Sequence, residues 1–150
     1  MSLYEMIKDF PMFEHFSDEE KKIFAKGRHK LLKFKKTEAI ISEGDQNSSL
    51  YLLIQGACLI TKTQDKSTIR LSKLKQGELF GEMSFFTQKS RKSNVVANDD
   101  VTVLKMDKDF FDKLDPFIRD GIKDYLIELL IRRLDNMNAA IMRISKLMHS

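Results

Sequence analysis

The spacing of apolar residues changes twice along the chain and divides it into three zones. Residues 1–27 carry short helical segments. Leu3 to Asp9 reads as one helix, and Pro11 breaks it. Ser17-Asp18-Glu19-Glu20 has the spacing of a capping box, with Ser17 as N-cap and Glu20 at N3. Ile23 and Phe24 are then expected to face inward, and Gly27 to end the helix as a C′ glycine. From Arg28 to Asp107 the period becomes two. Strands are predicted over Lys30 to Phe34, Ala39 to Ser42, Leu50 to Ile54, Ala57 to Thr63, Thr68 to Leu74, Asn94 to Ala97 and Val101 to Met106. Turn residues separate them at Glu43-Gly44-Asp45, Gln55-Gly56, Asp65-Lys66, Gln76-Gly77 and Asn98-Asp99-Asp100. Asp65-Lys66 lacks a glycine and is the weakest of these signals. Short strands recurring at roughly 8 to 12 residues are the pattern of a β-sandwich or barrel.

After Met106 the period is helical again. Asp107 is placed to cap a short helix holding Phe110, Phe111 and Leu114, and Asp115-Pro116 is an N-cap followed by proline at N1. No proline interrupts the chain from there to Ser150. About 33 helical residues at ~1.5 Å each reach ~50 Å, longer than the domain they leave. Ile127, Leu130, Leu134, Met137, Ile141, Ile144 and Met148 are spaced 3, 4, 3, 4, 3 and 4. That is an a/d seam, with Arg132, Arg133, Asp135 and Arg143 off it. Ile118 to Ile131 supplies an apolar face for the helix's own domain, so the distal seam is expected to dimerise.

Composition narrows the class without assigning a function. The 150 residues are 42% hydrophobic and 32% charged, as in ordinary globular domains. The single cysteine, Cys58, excludes an internal disulfide and a cysteine-rich metal site, and lies in a predicted strand as a small core residue. No apolar run has the length of a membrane span, and the N-terminus has no signal-peptide pattern. A cytoplasmic location is expected. The 26 Lys plus Arg against 22 Asp plus Glu leave +4, a weak field for nucleic-acid binding. The densest basic stretch, Arg28 to Lys36, alternates with Leu32 and Phe34 and reads as a solvated edge strand. His15, His29 and His149 are too dispersed to form a metal pair or a triad, and no nucleophile stands beside a base. An enzyme is not expected, nor a metal site.

The segment with distinctive chemistry is Gly77-Glu78-Leu79-Phe80-Gly81-Glu82-Met83-Ser84-Phe85-Phe86-Thr87-Gln88-Lys89-Ser90-Arg91. Gly81 permits a positive φ or a close backbone approach. Met83 to Phe86 can form one helical turn with free amides. Such amides with a nearby arginine favour a phosphate oxygen, and Glu82 would repel it unless it faced a hydroxyl of the same ligand. Amides and arginine for phosphate, glutamate for ribose and apolar strands for a base describe a nucleotide site.

Phe80-Gly81-Glu82-Met83-Ser84-Phe85-Phe86, with Arg91 nine residues after the glutamate, resembles the phosphate-binding cassette of cyclic nucleotide-binding domains. These domains occur in the catabolite activator protein, in regulatory subunits of cyclic AMP-dependent protein kinase and in cyclic nucleotide-gated channels. Phe13 to Glu20, Ile41 to Gly56 and Val95 to Leu114 extend the resemblance over nearly the whole chain. It implies an α+β, mainly β fold: a double-stranded β-helix, or eight-stranded antiparallel jelly-roll barrel, with N-terminal helices and a long C-terminal helix. Residues 1–115 would form the nucleotide-binding domain and 116–150 the dimerisation and lid helix. The implied ligand residues are Phe80, Gly81, Glu82, Met83, Ser84, Arg91, Lys92 and Ser93. Glu82 matches the glutamate that accepts from the ribose 2′-hydroxyl, and Arg91 the arginine that pairs with the cyclic phosphate. The amides of Ser84 and Lys92 match the phosphate donors.

The implied ligand is cyclic AMP rather than cyclic GMP, because Lys92 stands where members preferring cyclic GMP often carry a hydroxyl. Three further positions depart from the family pattern. Gln88 and Ser90 replace the usual glycine and proline, and Asn94 a frequent threonine. The expected function is a regulatory sensor acting as a homodimer through its C-terminal helices, with Leu126, Leu129 and Leu130 as candidate lid residues over the base. Two alternatives stay open: a module that keeps the fold without the ligand, and part of a catabolite activator-type transcription regulator.

Overall fold

The computed structural model describes residues 1–149. Three short helical pieces open the chain: α1 (Leu3–Ile7), a 3₁₀ turn (Pro11–Phe13) and α2 (Asp18–Lys26). The capping box at Ser17 and Glu20 is present, with both reciprocal hydrogen bonds formed. Two expectations fail here. Ile23 is about half exposed, and Phe24 alone of the pair is buried. Gly27 is extended, at φ −65° and ψ 169°, because the chain passes straight into a strand and does not reverse through a left-handed cap.

Eight strands follow: β1 (Lys30–Phe34), β2 (Ala39–Ile41), β3 (Leu50–Gln55), β4 (Cys58–Gln64), β5 (Ser67–Leu74), β6 (Leu79–Phe80), β7 (Asn94–Ala97) and β8 (Val101–Met106). They form two antiparallel four-stranded sheets, β1-β8-β3-β6 and β2-β7-β4-β5, facing each other as a jelly roll. β6 escapes the sequence pattern because two residues carry no period, and pairing with Tyr51 and Leu52 defines it. The Asp65-Lys66 turn joins β4 to β5 with both residues at positive φ, so the hairpin forms without glycine. β1 is an edge strand, with Lys30 and Lys33 exposed.

β3 explains how the layers stack. Tyr51 and Leu53 point between the sheets, where they meet Ile41, Cys58, Val95 and Val103. Leu50, Leu52 and Ile54 point the other way and are covered by Phe13, Phe24, Phe111, Ile118, Ile122 and Leu126 from the helices. A strand buried on both faces reads as a continuous apolar run, which is the Leu50 to Ile54 pattern. In the facing sheet all of β5 except Leu74 is exposed.

One short helix, α3 (Glu82–Thr87), lies between β6 and β7, and two helices follow β8: α4 (Lys108–Asp112) and α5 (Pro116–Met148). Asp107 and Asp115 cap α4 and α5 through their side chains. α5 packs on the domain only along its first part. Gly121 lies so close to the Phe16 ring that a Cβ there would stand 2.4 Å from it. Beyond Leu130 the seam leaves the domain, and Leu134, Met137, Ile141, Ile144 and Met148 are each more than half exposed. No helix among the described residues is long and apolar enough to cross a membrane.

Candidate functional site

The cassette forms where β6 runs into α3. Gly81 joins them at φ +83°, the left-handed region that costs any other residue strain. Close approach matters equally. A Cβ at Gly81 would stand 3.0 Å from both Arg91 Nη1 and the Ser49 carbonyl oxygen. The helix it starts is one residue longer at each end than the turn expected from the sequence. As at any helix start, its first amides have no intrahelical acceptor. Gln88 ends α3 in the left-handed conformation at φ 59°, which accounts for the glycine common at that position. Its side chain holds the turn together, donating to the Phe85 carbonyl at 2.7 Å and accepting from Ser48 Oγ at 3.2 Å.

Arg91 is buried, with 5% of its surface exposed. Nη1 donates to the Gly81 carbonyl at 2.9 Å and Nη2 to the Ser49 carbonyl at 2.6 Å. Its backbone is clamped to the loop after β2, since Arg91 N–H donates to Asp45 O and Gly44 N–H to Arg91 O. Asn94 fixes the same loop by accepting from the Glu43 amide at 2.8 Å and donating toward Thr61 and Thr63. The Arg91 guanidinium therefore has a fixed position and no ion pair among the described residues. Burial pushes its pKa down, and Tyr51 and Asp45 oppose that shift.

Glu82 is also buried. Its ion-pair partner is Arg133 of α5, not Arg91. Arg133 donates as well to the Leu79 carbonyl at 3.3 Å, and burial lowers its pKa. The long helix is thereby tied to the cassette through a carboxylate of the cassette itself.

All eight residues singled out in the sequence, Phe80, Gly81, Glu82, Met83, Ser84, Arg91, Lys92 and Ser93, line one cleft of about 220 Å³. Ile41, Ile60 and Val95 add apolar walls. Their neighbours in sequence mark them only as strand residues, and the cross-sheet packing brings them here. Arg133 completes the cleft. The heptad pattern shows it as an off-seam charge, and nothing in the local sequence points to a partner 51 positions earlier. Leu126, Leu129 and Leu130 do not line the cleft. Leu126 is fully buried in the helical layer, with Leu129 packed against it, because that part of α5 faces the β3 sheet. Three cations, Arg91, Lys92 and Arg133, face one carboxylate, Glu82. A net positive, partly apolar cleft suits an anion with an apolar portion. Cys58 takes no part: it is buried in the inter-sheet core, and burial pushes its thiol up to about 11.

The family model of the cyclic nucleotide-binding domain matches residues 31–115, and the chain belongs to that family. Over 97 residues it is 29% identical to a cAMP-dependent protein kinase regulatory subunit of Mycosarcoma maydis, covering 64% of this chain and 18% of that protein. A regulatory subunit of Aspergillus niger is 32% identical over 83 residues, 55% of this chain and 20% of that protein. The chain thus spans about a fifth of the length of these relatives. The crystal structure of Thermus thermophilus catabolite activator protein superposes with a TM-score of 0.79 at 26% identity, covering 90% of this chain and 63% of that one.

Proposed function

We propose that the cleft binds a cyclic mononucleotide, cyclic AMP, and that the chain works as a ligand-responsive regulatory module. The observation that carries this reading is the buried Arg91 guanidinium, oriented by two backbone carbonyls and lacking a carboxylate partner. A buried charge without a counter-ion costs several kcal/mol, and the cyclic phosphate supplies that counter-ion. Free amides at the start of α3 reinforce the phosphate end, Glu82 accepts from the ribose hydroxyl, and Ile41, Ile60 and Val95 flank the apolar part of the ligand.

Signalling follows from Glu82 being shared. The ribose hydroxyl and Arg133 compete for, or jointly satisfy, one carboxylate, so occupancy of the cleft alters how α5 is held. The ligand shifts α5 only by its differential affinity for the two arrangements. The exposed seam from Leu134 to Met148 pairs with that of a second copy, since α5 leaves those apolar residues uncovered by its own domain. Residues 1–115 then sense and 116–150 transmit.

Isothermal calorimetry with cyclic AMP and cyclic GMP tests the reading. Saturable binding of cyclic AMP, weakened at least about tenfold by Arg91→Ala, is expected. Absence of binding by the wild type would instead indicate a module that keeps the fold without the ligand.

A further inference from the structure

A second cavity lies where the corner between α2 and β1 meets α4. Its volume is about 360 Å³, and none of its lining residues belongs to the cassette cleft. That size is within the range of small-molecule pockets. Phe110 and Leu114 supply apolar wall, and His29 stands beside Phe110 with ring centroids 5.4 Å apart.

Its charges do not balance. Lys30 pairs with Asp107 at 2.8 Å and Lys113 with Asp109 at 3.0 Å. Arg28 and Lys105 line the same cavity without an ion-pair partner among the described residues. The strand register sharpens the point. Lys30 and Lys105 are directly opposed across the β1–β8 ladder, an arrangement that destabilises a sheet. Asp107 pairs directly with Lys30 and also lies within electrostatic reach of Lys105, so one carboxylate serves two opposed lysines and the cavity wall keeps a net positive charge.

His29 contributes its ring to the wall and no contact for an anion. His29 Nε2 is 2.6 Å from the Phe24 carbonyl oxygen. That oxygen can only accept, so Nε2 carries the proton and Nδ1 keeps its lone pair. Nδ1 is buried and has no hydrogen-bond partner among the described residues. Packing alone explains the apolar wall and the enclosed His29 ring, but it leaves the surplus cations uncompensated.

We propose that this cavity is a second ligand site, taking a small carboxylic acid with an apolar body. The carboxylate meets Lys105 and Arg28, and the body lies against Phe110 and Leu114. Asp107 and Asp109 in the same wall favour a monoanion over a dianionic phosphate. The site shares no lining residue with the cassette, and α4 stands between the two, with Phe110 toward the cavity and Phe111 against Phe85 of the cassette helix, ring centroids 5.1 Å apart.

The test is a nitrogen-15 NMR titration of the whole chain with 4-phenylbutyrate, 4-phenylbutanol and phenyl phosphate. Saturable shifts at residues 27–30 and 105–114 are expected with the carboxylate. The alcohol should bind at least about tenfold more weakly, the loss typical of one charge-assisted contact. Lys105→Met and, separately, Arg28→Gln should weaken the carboxylate similarly while the rest of the spectrum keeps its dispersion. Equal binding of the alcohol, shifts centred on residues 80–93 or on α5, or no saturable shift up to the solubility of the probe would each overturn the site. Tighter binding of phenyl phosphate would overturn the carboxylate assignment.

Discussion

Replacing Arg91 with methionine separates a structural arginine from one waiting for a ligand. Two hydrogen bonds disappear, to the carbonyls of Gly81 and Ser49. The Gly81 carbonyl keeps a partner, since Phe85 N–H also donates to it at 3.3 Å. The Ser49 carbonyl is left short of a donor, which costs about 1–3 kcal/mol when buried. Against this, the fold no longer has to desolvate a guanidinium, itself a cost of several kcal/mol after relaxation. The second effect offsets the first, so ligand-free stability should fall by no more than about 1 kcal/mol. An arginine serving a purely structural buried pair would lose about 3–5 kcal/mol.

The ligand separates the two proteins. At cyclic AMP one hundred times its dissociation constant, the wild type gains about 2.7 kcal/mol. For a domain of this size that raises the midpoint by about 5–11 °C. At the same concentration the variant, bound at least tenfold more weakly, gains at least about 1.3 kcal/mol less. Thermal unfolding followed by circular dichroism, with and without ligand, measures both quantities. If the ligand-free variant loses 3 kcal/mol or more and the wild type does not respond to cyclic AMP, the reasoning from an uncompensated charge is wrong.

Four further outcomes are expected. Gly81→Ala should lose about 1–3 kcal/mol in urea unfolding, from left-handed strain and the contact with Arg91, and should weaken cyclic AMP binding by calorimetry. Arg133→Met leaves the buried Glu82 carboxylate unpaired and should lower ligand-free stability by about 1–2 kcal/mol in urea, toward the low end because Arg133 is more than a third exposed. Replacing Leu134 and Ile141 together with lysine should convert a dimer to a monomer in sedimentation, and an unchanged mass would show that the seam does not pair. Burial depresses the pKa of His29 below its ordinary 6.5. The unfolded chain therefore takes up a proton there before the folded one does, and stability should fall as pH drops from about 6.5 toward the depressed value. Chemical denaturation at several pH values should show this slope, and His29→Phe should flatten it.

Much of the architecture was legible in the sequence because it rests on local rules. Caps at Ser17, Asp107 and Asp115, the alternation of β1 and the long run of β3 each follow from residues within one or two turns or a single strand. The misreadings were local too. Ile23 and Phe24 are both apolar, and only the position of the domain beneath α2 decides which is buried. Leu79–Phe80 became a strand through its partner β3.

The cassette divides along the same line. Gly81, Glu82 and Arg91 were identifiable from residue types at fixed spacing, because one strand-to-helix turn carries all three. What each touches was decided in three dimensions. Arg91 is held by Ser49 from a distant loop, and Glu82 by Arg133 from a helix that begins 34 residues after it. The opposed lysines at 30 and 105 are equally invisible in the sequence, since only the β1–β8 register brings them together. Sequence by itself determined which elements form and which chemistry the cassette holds, because hydrogen bonding and apolar periodicity act over a few residues. Tertiary structure alone decided which charges are paired and which are left for a ligand, because ion pairs form wherever packing brings two side chains within a few ångströms, at any separation along the chain.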